Sequence, residues 1–166
     1  MNKATRPDDI FHWYAQFSHP EDKVDWANGK RNLFFKVSKT RIDKFEFEFG
    51  ELLPTEYRRF LMEVGEGRFT RDIFGNTTDT YANVFAGPEA IADLLRNYDH
   101  MLKVNPVIFK VGDVPFFDIG SADYIVFDEN KSTCKFSFLK DIVATSFSEF
   151  LMQLRENLTF YLEVQR

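Results

Sequence analysis

Cysteine occurs once in this 166-residue chain and histidine three times. A lone Cys134 cannot close an intrachain disulfide, and within its alternating apolar stretch it reads as a small buried hydrophobe. His12, His19 and His100 are too scattered for a local ligand motif, and neither His-Glu-x-x-His nor paired CxxC occurs, so no metal site or cofactor is expected. Long apolar runs are missing too; none approaches the roughly 20 residues of a membrane-spanning helix. The opening Met-Asn-Lys-Ala-Thr-Arg-Pro-Asp-Asp is charged where a secretory signal needs an apolar stretch, and the C-terminus carries no lipidation motif. A cytoplasmic protein without membrane contact is expected. Positive charge is also in deficit, with 21 Lys and Arg against 26 Asp and Glu, a formal charge of −5 and a pI near 5.3. That balance argues against nucleic acid as a partner, because phosphate binding requires a clustered basic excess. It suits a basic partner instead.

What the chain has in quantity is aromatic rings: 17% aromatic residues, 20 of them Phe, which implies a core built around them. The length fits one domain able to bury a core without disulfides or metals. Ile10, Phe11, Trp13, Tyr14 and Phe17 recur at helical spacings between Pro7 and the His19-Pro20 break, predicting a short docking helix. Asn32 to Val37 is rich in strand formers. Phe45-Glu46-Phe47-Glu48-Phe49 alternates like a strand, while Ile42, Phe45 and Phe49 also fit a helical stripe, and periodicity alone does not decide between them. Pro54 followed by Tyr57, Phe60, Leu61 and Val64 predicts a helix ending at Gly65. Arg68 to about Phe85 reads as strands with a turn at Gly75-Asn76-Thr77-Thr78. Gly87-Pro88-Glu89 opens a helix with Ile91, Leu94, Leu95, Tyr98 and Leu102 on one face.

Strands are expected at Val107 to Val111, Val114 to Ile119, Tyr124 to Phe127 and Lys135 to Phe138. Tyr124-Ile125-Val126-Phe127 is apolar throughout, which places it centrally, and Asp128 to Lys131 makes the following turn. Ser146-Phe147-Ser148-Glu149 is a capping box opening a last helix, lined by Phe147, Phe150, Leu151, Leu154 and Leu158. Strands gathered between helices without regular alternation predict an α+β single domain, a mainly antiparallel curved sheet with helices packed against it.

Catalytic patterns are absent. Asp113, Asp118, Asp123 and Asp128 stand five apart, but that offset turns successive side chains to different faces in either a strand or a helix, so they read as strand-edge and turn residues. Ser121 lies near carboxylates without a Gly-x-Ser-x-Gly elbow or a nearby His. Gly65-Glu66-Gly67-Arg68 lacks the Gly-Lys-Ser/Thr of a phosphate loop and reads as a helix C-cap. The basic stretch from Lys30-Arg31 to Lys44, interleaved with Phe34 and Phe35, is diluted by Asp43, Glu46 and Glu48 and reads as a solvated strand face.

Three segments resemble the SUKH superfamily, which includes a fungal cell-wall assembly regulator and many bacterial immunity proteins. Leu52-Leu53-Pro54-Thr55-Glu56-Tyr57-Arg58-Arg59-Phe60-Leu61, running on to Gly65-Glu66-Gly67, is similar to its LP-x-x-Y/F-x-x-FL…GG helix and turn. Phe116 to Asp128 is similar to its strand pair, and Ala144-Thr145-Ser146-Phe147-Ser148-Glu149-Phe150-Leu151 to its closing A-x-SF-x-x-FL helix. The likeness covers about residues 40–160, with 1–39 as an N-terminal helix and strand extension. Gly65-Glu66-Gly67 departs from the usual Gly-Gly, and Ala122 replaces the Gly before the acidic residue of the central strand.

The resemblance favours a helix at 40–49. It implies a non-enzymatic immunity protein that neutralises a cognate toxin, a nuclease or other nucleic-acid-modifying effector, by direct contact. An adaptor of the same superfamily is the first alternative, and a metal-dependent enzyme the second. Glu66, Arg68, Tyr81, Asp118, Asp123 and Glu129, expected at turns around one sheet, are the candidate partner-binding residues.

Overall fold

Pro7–Ala15 forms the first helix, α1, and it docks as its aromatic spacing predicts. In the computed structural model, which describes residues 7–19, 32–97, 112–120, 123–131, 133–137 and 141–165, Ile10, Phe11 and Tyr14 are buried, and the Tyr14 hydroxyl donates to the Leu151 carbonyl at 2.7 Å. The expected break holds a two-residue strand, Ser18–His19 (β1), which pairs in parallel with Leu33–Phe35 (β2).

At residues 40–49 the helical stripe wins over the alternation. Lys39–Phe49 is α2, started by Ser38, whose Oγ accepts the Arg41 N–H at 3.3 Å. Ile42 and Phe45 are buried, whereas Phe47 is 95% exposed. A strand would set Phe45 and Phe47 on one face; a helix rotates them about 200° apart. Helix α3, Thr55–Glu63, buries Tyr57, Phe60 and Leu61, with Pro54 just ahead of the first turn as its N-cap. The Val64 and Gly65 N–H groups both donate to the Phe60 carbonyl, and Gly65 takes φ +122°. A Cβ at Gly65 would lie 2.1 Å from the Phe35 carbonyl oxygen, and one at Gly67 would lie 1.9 Å from that of Leu33. Both glycines are therefore required by the backbone of β2, although only Gly65 belongs to the helix end; Gly67 sits within the next strand.

That strand is Glu66–Arg68 (β3), and the following one is Val84–Phe85 (β4). Between them the expected strands give way to a loop with a single bridge, Arg71 to Thr77. Its turn is organised earlier than the glycine predicts: the buried Asp72 carboxylate accepts the backbone N–H groups of Phe74 and Asn76 and the Asn76 side-chain amide, each at 2.9 Å. Asn83, fully buried at φ +48°, closes the loop. Its amide donates to the Leu158 carbonyl at 2.8 Å and its oxygen accepts the Tyr161 hydroxyl at 2.6 Å. Helix α4, Pro88–Arg96, starts at Gly87 and buries Ile91 and Ala92. Its expected continuation through Tyr98 and Leu102, and the strand expected at 107–111, lie outside the described residues.

Four strands follow, Val114–Gly120 (β5), Asp123–Phe127 (β6), Cys134–Phe136 (β7) and Ile142–Ala144 (β8), and then helix Phe147–Glu156 (α5) and a 3-10 turn at Phe160–Gln165. β7 begins one residue before its predicted start, and residue 138 lies outside the described set. β8 has no counterpart among the expectations. Ser146 caps α5 as expected, accepting the Glu149 N–H at 3.1 Å, but the Glu149 carboxylate reaches one residue further back, to the Thr145 N–H and hydroxyl, both at 2.6 Å.

The eight strands form one open sheet in sequence order, antiparallel except for β1 with β2. The fold is α+β. Register separates the sheet into two faces. Phe34, Gly67, Phe85, Phe117, Ile125 and Phe136 stand opposite one another in one row, and all of its side chains are at most 1% exposed. Against this row pack α1, α3 and α5, with Phe60 in ring contact with Phe11, Phe34, Phe85 and Phe147 at 5.0–5.9 Å. Those with Phe11, Phe34 and Phe147 are edge-to-face, and each such pair adds about 0.5–1.5 kcal/mol beyond burial. β6 lies between β5 and β7 with Ile125, Val126 and Phe127 buried, the central placement its composition predicts.

Candidate functional site

With Phe85 and Phe117 inward, Val84 and Asp118 beside them turn outward, while an irregularity between Pro115 and Phe117 keeps Phe116 in the core as well. Arg68, Val84, Asp118 and Tyr124 stand directly opposite one another on β3, β4, β5 and β6, forming a second row on the outer face. Glu66, two residues before Arg68, shares that face. Beside the row runs α4, whose start is fixed by Gly87: a Cβ there would lie 1.6 Å from Glu66 Oε2. Glycine is needed for space, since Gly87 itself has φ −78°.

The Arg41 guanidinium of α2 ties this region together. It donates to Glu66 at 2.6 Å and to both Glu89 oxygens at 2.8 and 2.5 Å, joining α2, β3 and α4. Its hydrogen bond to Glu89 holds that carboxyl below the ordinary carboxylate value. On its other side α4 continues this bonding, with Arg96 paired to Glu48 of α2 at 2.5 Å and to Asp93 at 3.0 Å.

Between α4 and the outer row lies a groove of about 470 Å³. Val84, Ala86, Ala90 and Leu94 give it apolar walls, and Glu66, Asp93, Asp118 and Tyr124 supply polar groups. Asp118 is half-buried. Its Oδ1 accepts the Gly120 N–H at 2.7 Å, yet burial outweighs that bond and pushes its carboxyl above the ordinary value. Burial, followed by the charge of Asp118, likewise raises Tyr124.

Three of the six candidate residues, Glu66, Arg68 and Asp118, thus meet on the outer face. Asp123 begins β6 at the same end of the β5–β6 hairpin as Asp118, its Oδ1 accepting the Tyr124 N–H at 2.9 Å and the Ser137 hydroxyl at 3.4 Å. Tyr81 is partly buried against the core, edge-on to Tyr161 at 6.2 Å. Glu129 is exposed in the turn after β6, beside Gly112 and about 17 Å along the strand direction from Tyr124. Sequence reasoning missed Arg41, Val84, Glu89, Leu94 and Tyr124. Tyr124 had a usable signal, its place next to Asp123 in an alternating strand, whereas the partners of Arg41 lie 25 and 48 residues away.

Two of the remaining candidates for chemistry, Asp113 and Asp128, are held by partners within the chain. Asp113 is buried and paired with Lys135 at 3.3 Å, and Asp128 accepts the Thr133 hydroxyl. With Asp118 and Asp123 placed as above, the four aspartates do not converge, and among the described residues no group of three or more His, Cys, Asp or Glu side chains is placed to hold a metal ion. Cys134 is fully buried and its thiol is pushed up by desolvation. His12 and His19 are exposed; His100 and Ser121 lie outside the described residues. No described helix is long and apolar enough to cross a membrane.

Comparison with known proteins adds two findings. Residues 36–153 match the family model described as SMI1 / KNR4 family (SUKH-1). The chain is also 26% identical over 149 residues to a Bacillus subtilis (strain 168) protein named immunity protein YxxD, across 82% of this chain and 92% of that one.

Proposed function

Because the chain belongs to the SMI1 / KNR4 family (SUKH-1), we propose that it is an immunity protein that binds and neutralises a cognate bacterial toxin by direct contact. The observation that carries this reading is coverage: the likeness to a protein named for immunity runs through most of both chains, so it concerns a whole fold and not a shared fragment. The toxin class we favour is a nuclease or another nucleic-acid-modifying effector. An enzyme that engages phosphate backbones presents a basic cleft, and a chain of net charge −5 carrying carboxylates on a sheet face is its electrostatic complement. Such a role operates in the cytoplasm and uses no catalytic residue, cofactor, nucleic acid or membrane.

The proposed contact surface is the outer face with Glu66, Arg68 and Asp118, extended by Asp123, Tyr81 and Glu129. Strand-borne side chains lose little freedom on docking, which favours tight binding without catalysis. Co-expression with the product of an adjacent toxin gene tests the function: growth rescue together with co-purification is the expected outcome. Undiminished killing without a complex would overturn it. Simultaneous charge reversal at Asp118, Asp123 and Glu129 tests the surface, and unchanged toxin binding in that variant removes the assignment.

A further inference from the structure

We infer that the groove between α4 and the outer row of the sheet receives one basic side chain of the protein partner, its aliphatic stem along Val84, Ala90 and Leu94 and its cationic head on Asp118. This rests on the protein-binding role proposed above and gives it a chemical specificity.

The three carboxylates of the groove are not equivalent. Glu66 is bound by Arg41 at 2.6 Å and Asp93 by Arg96 at 3.0 Å, so both are charge-compensated within the chain. Asp118 is half-buried, holds a single backbone N–H, and among the described residues has no Lys or Arg in an ion pair with it. Nor does any described Lys or Arg line the groove. A carboxylate partly removed from water without a cation is a costly arrangement that an incoming cation relieves.

The walls narrow the choice further. A small inorganic cation would gain nothing from Val84, Ala90 and Leu94, whereas Lys and Arg present three or four methylenes below a charged head and bury both parts at once. Tyr124, directly opposite Asp118 on β6, completes the polar end of the groove. Charge complementarity and wall chemistry thus specify the same occupant.

The test is an NMR titration of the full chain with N-acetyl-arginine amide, using its neutral isostere N-acetyl-citrulline amide as control, read at the methyl groups of Val84 and Leu94. Saturable shifts with the arginine compound, at least about tenfold weaker in Asp118→Asn and with the citrulline compound, are expected. A second variant, Ala90→Arg at an exposed position of α4, supplies the cation from within and should abolish the titration. No shift, or equal shifts with citrulline or in Asp118→Asn, overturns the inference, because the groove then takes a neutral occupant or none. Shifts at Val84 and Leu94 that follow protein concentration alone overturn it too, assigning the groove to a second copy of this chain. Growth rescue and co-purification are scored separately, so loss of the toxin reading registers there and loss of the basic side-chain reading registers in the titration.

Discussion

Replacing Gly87 by alanine should act almost entirely through Glu66. Gly87 has φ −78° and ψ 173°, a conformation any residue adopts, so the backbone itself tolerates a methyl. The methyl would nevertheless fall 1.6 Å from Glu66 Oε2 and 2.6 Å from its Cδ. The carboxylate is the free end of a side chain and swings away, which breaks its 2.6 Å bond to Arg41. That pair is about three-quarters buried on both sides, and Arg41 keeps Glu89, so the loss should be about 1–2 kcal/mol. Alanine at an N-cap costs about 0.5–1 kcal/mol more than glycine, but it stiffens the unfolded chain by a similar amount, and these two effects nearly cancel. Glu66→Ala removes the same bond and also the clash. Gly87→Ala, Glu66→Ala and the double variant should therefore all lose about 1–2 kcal/mol, a coupling far above the roughly 0.3–0.5 kcal/mol scatter of independent sites. Urea unfolding followed by circular dichroism measures it. If the double variant lost the sum of the two single costs, the close approach of Gly87 to Glu66 would not exist.

Phe60→Ala, which removes a ring in contact with Phe11, Tyr14, Phe34, Tyr57, Phe85 and Phe147, should cost about 3–5 kcal/mol in the same assay; a loss below 1 kcal/mol contradicts its central position. Asn83→Ala strands the buried Tyr161 hydroxyl and Leu158 carbonyl and leaves alanine at φ +48°, for a loss of about 3 kcal/mol; Asn83→Gly should recover the backbone share of about 1 kcal/mol and no more. Burial raises the folded-state carboxyl of Asp118 above its ordinary 3.8, so its contribution to stability is fully present below that value and is lost as pH rises through the folded pKa. Asp118→Asn should accordingly gain stability relative to the parent between acid and neutral pH, as read by urea midpoints; a relative loss over that interval reverses the sign and refutes the burial account.

Helices α3, α4 and α5 were legible because an apolar stripe coincides with Pro54, Gly87-Pro88 or Ser146 at each start. β1 and β8, at two and three residues, are too short to show any period, and Ile142 of β8 is exposed where a strand reading would want it covered. The loop after Arg68 reads as strands in the sequence because Asp72 organises the turn through its side chain, ahead of the Gly75 that signals one. Of the site, Glu66, Arg68, Asp118 and Asp123 could be singled out individually. Alternation says which residues of one strand share a face; it does not say which strand lies alongside. That Arg68 stands opposite Val84, and Val84 opposite Asp118, follows from packing across 16 and 34 residues of chain. The Arg41 junction with Glu66 and Glu89 depends on three elements meeting and leaves no local trace.

Chain neighbours in this sheet answer to different masters. Phe85 and Phe117 are locked among interior rings, while Val84, one peptide bond from Phe85, only lines the groove, and Asp118, one peptide bond from Phe117, holds the Gly120 N–H. An outward position such as Val84 can therefore change with the interior row left untouched, whereas a change at Asp118 also gives up the bond that orders the end of its hairpin.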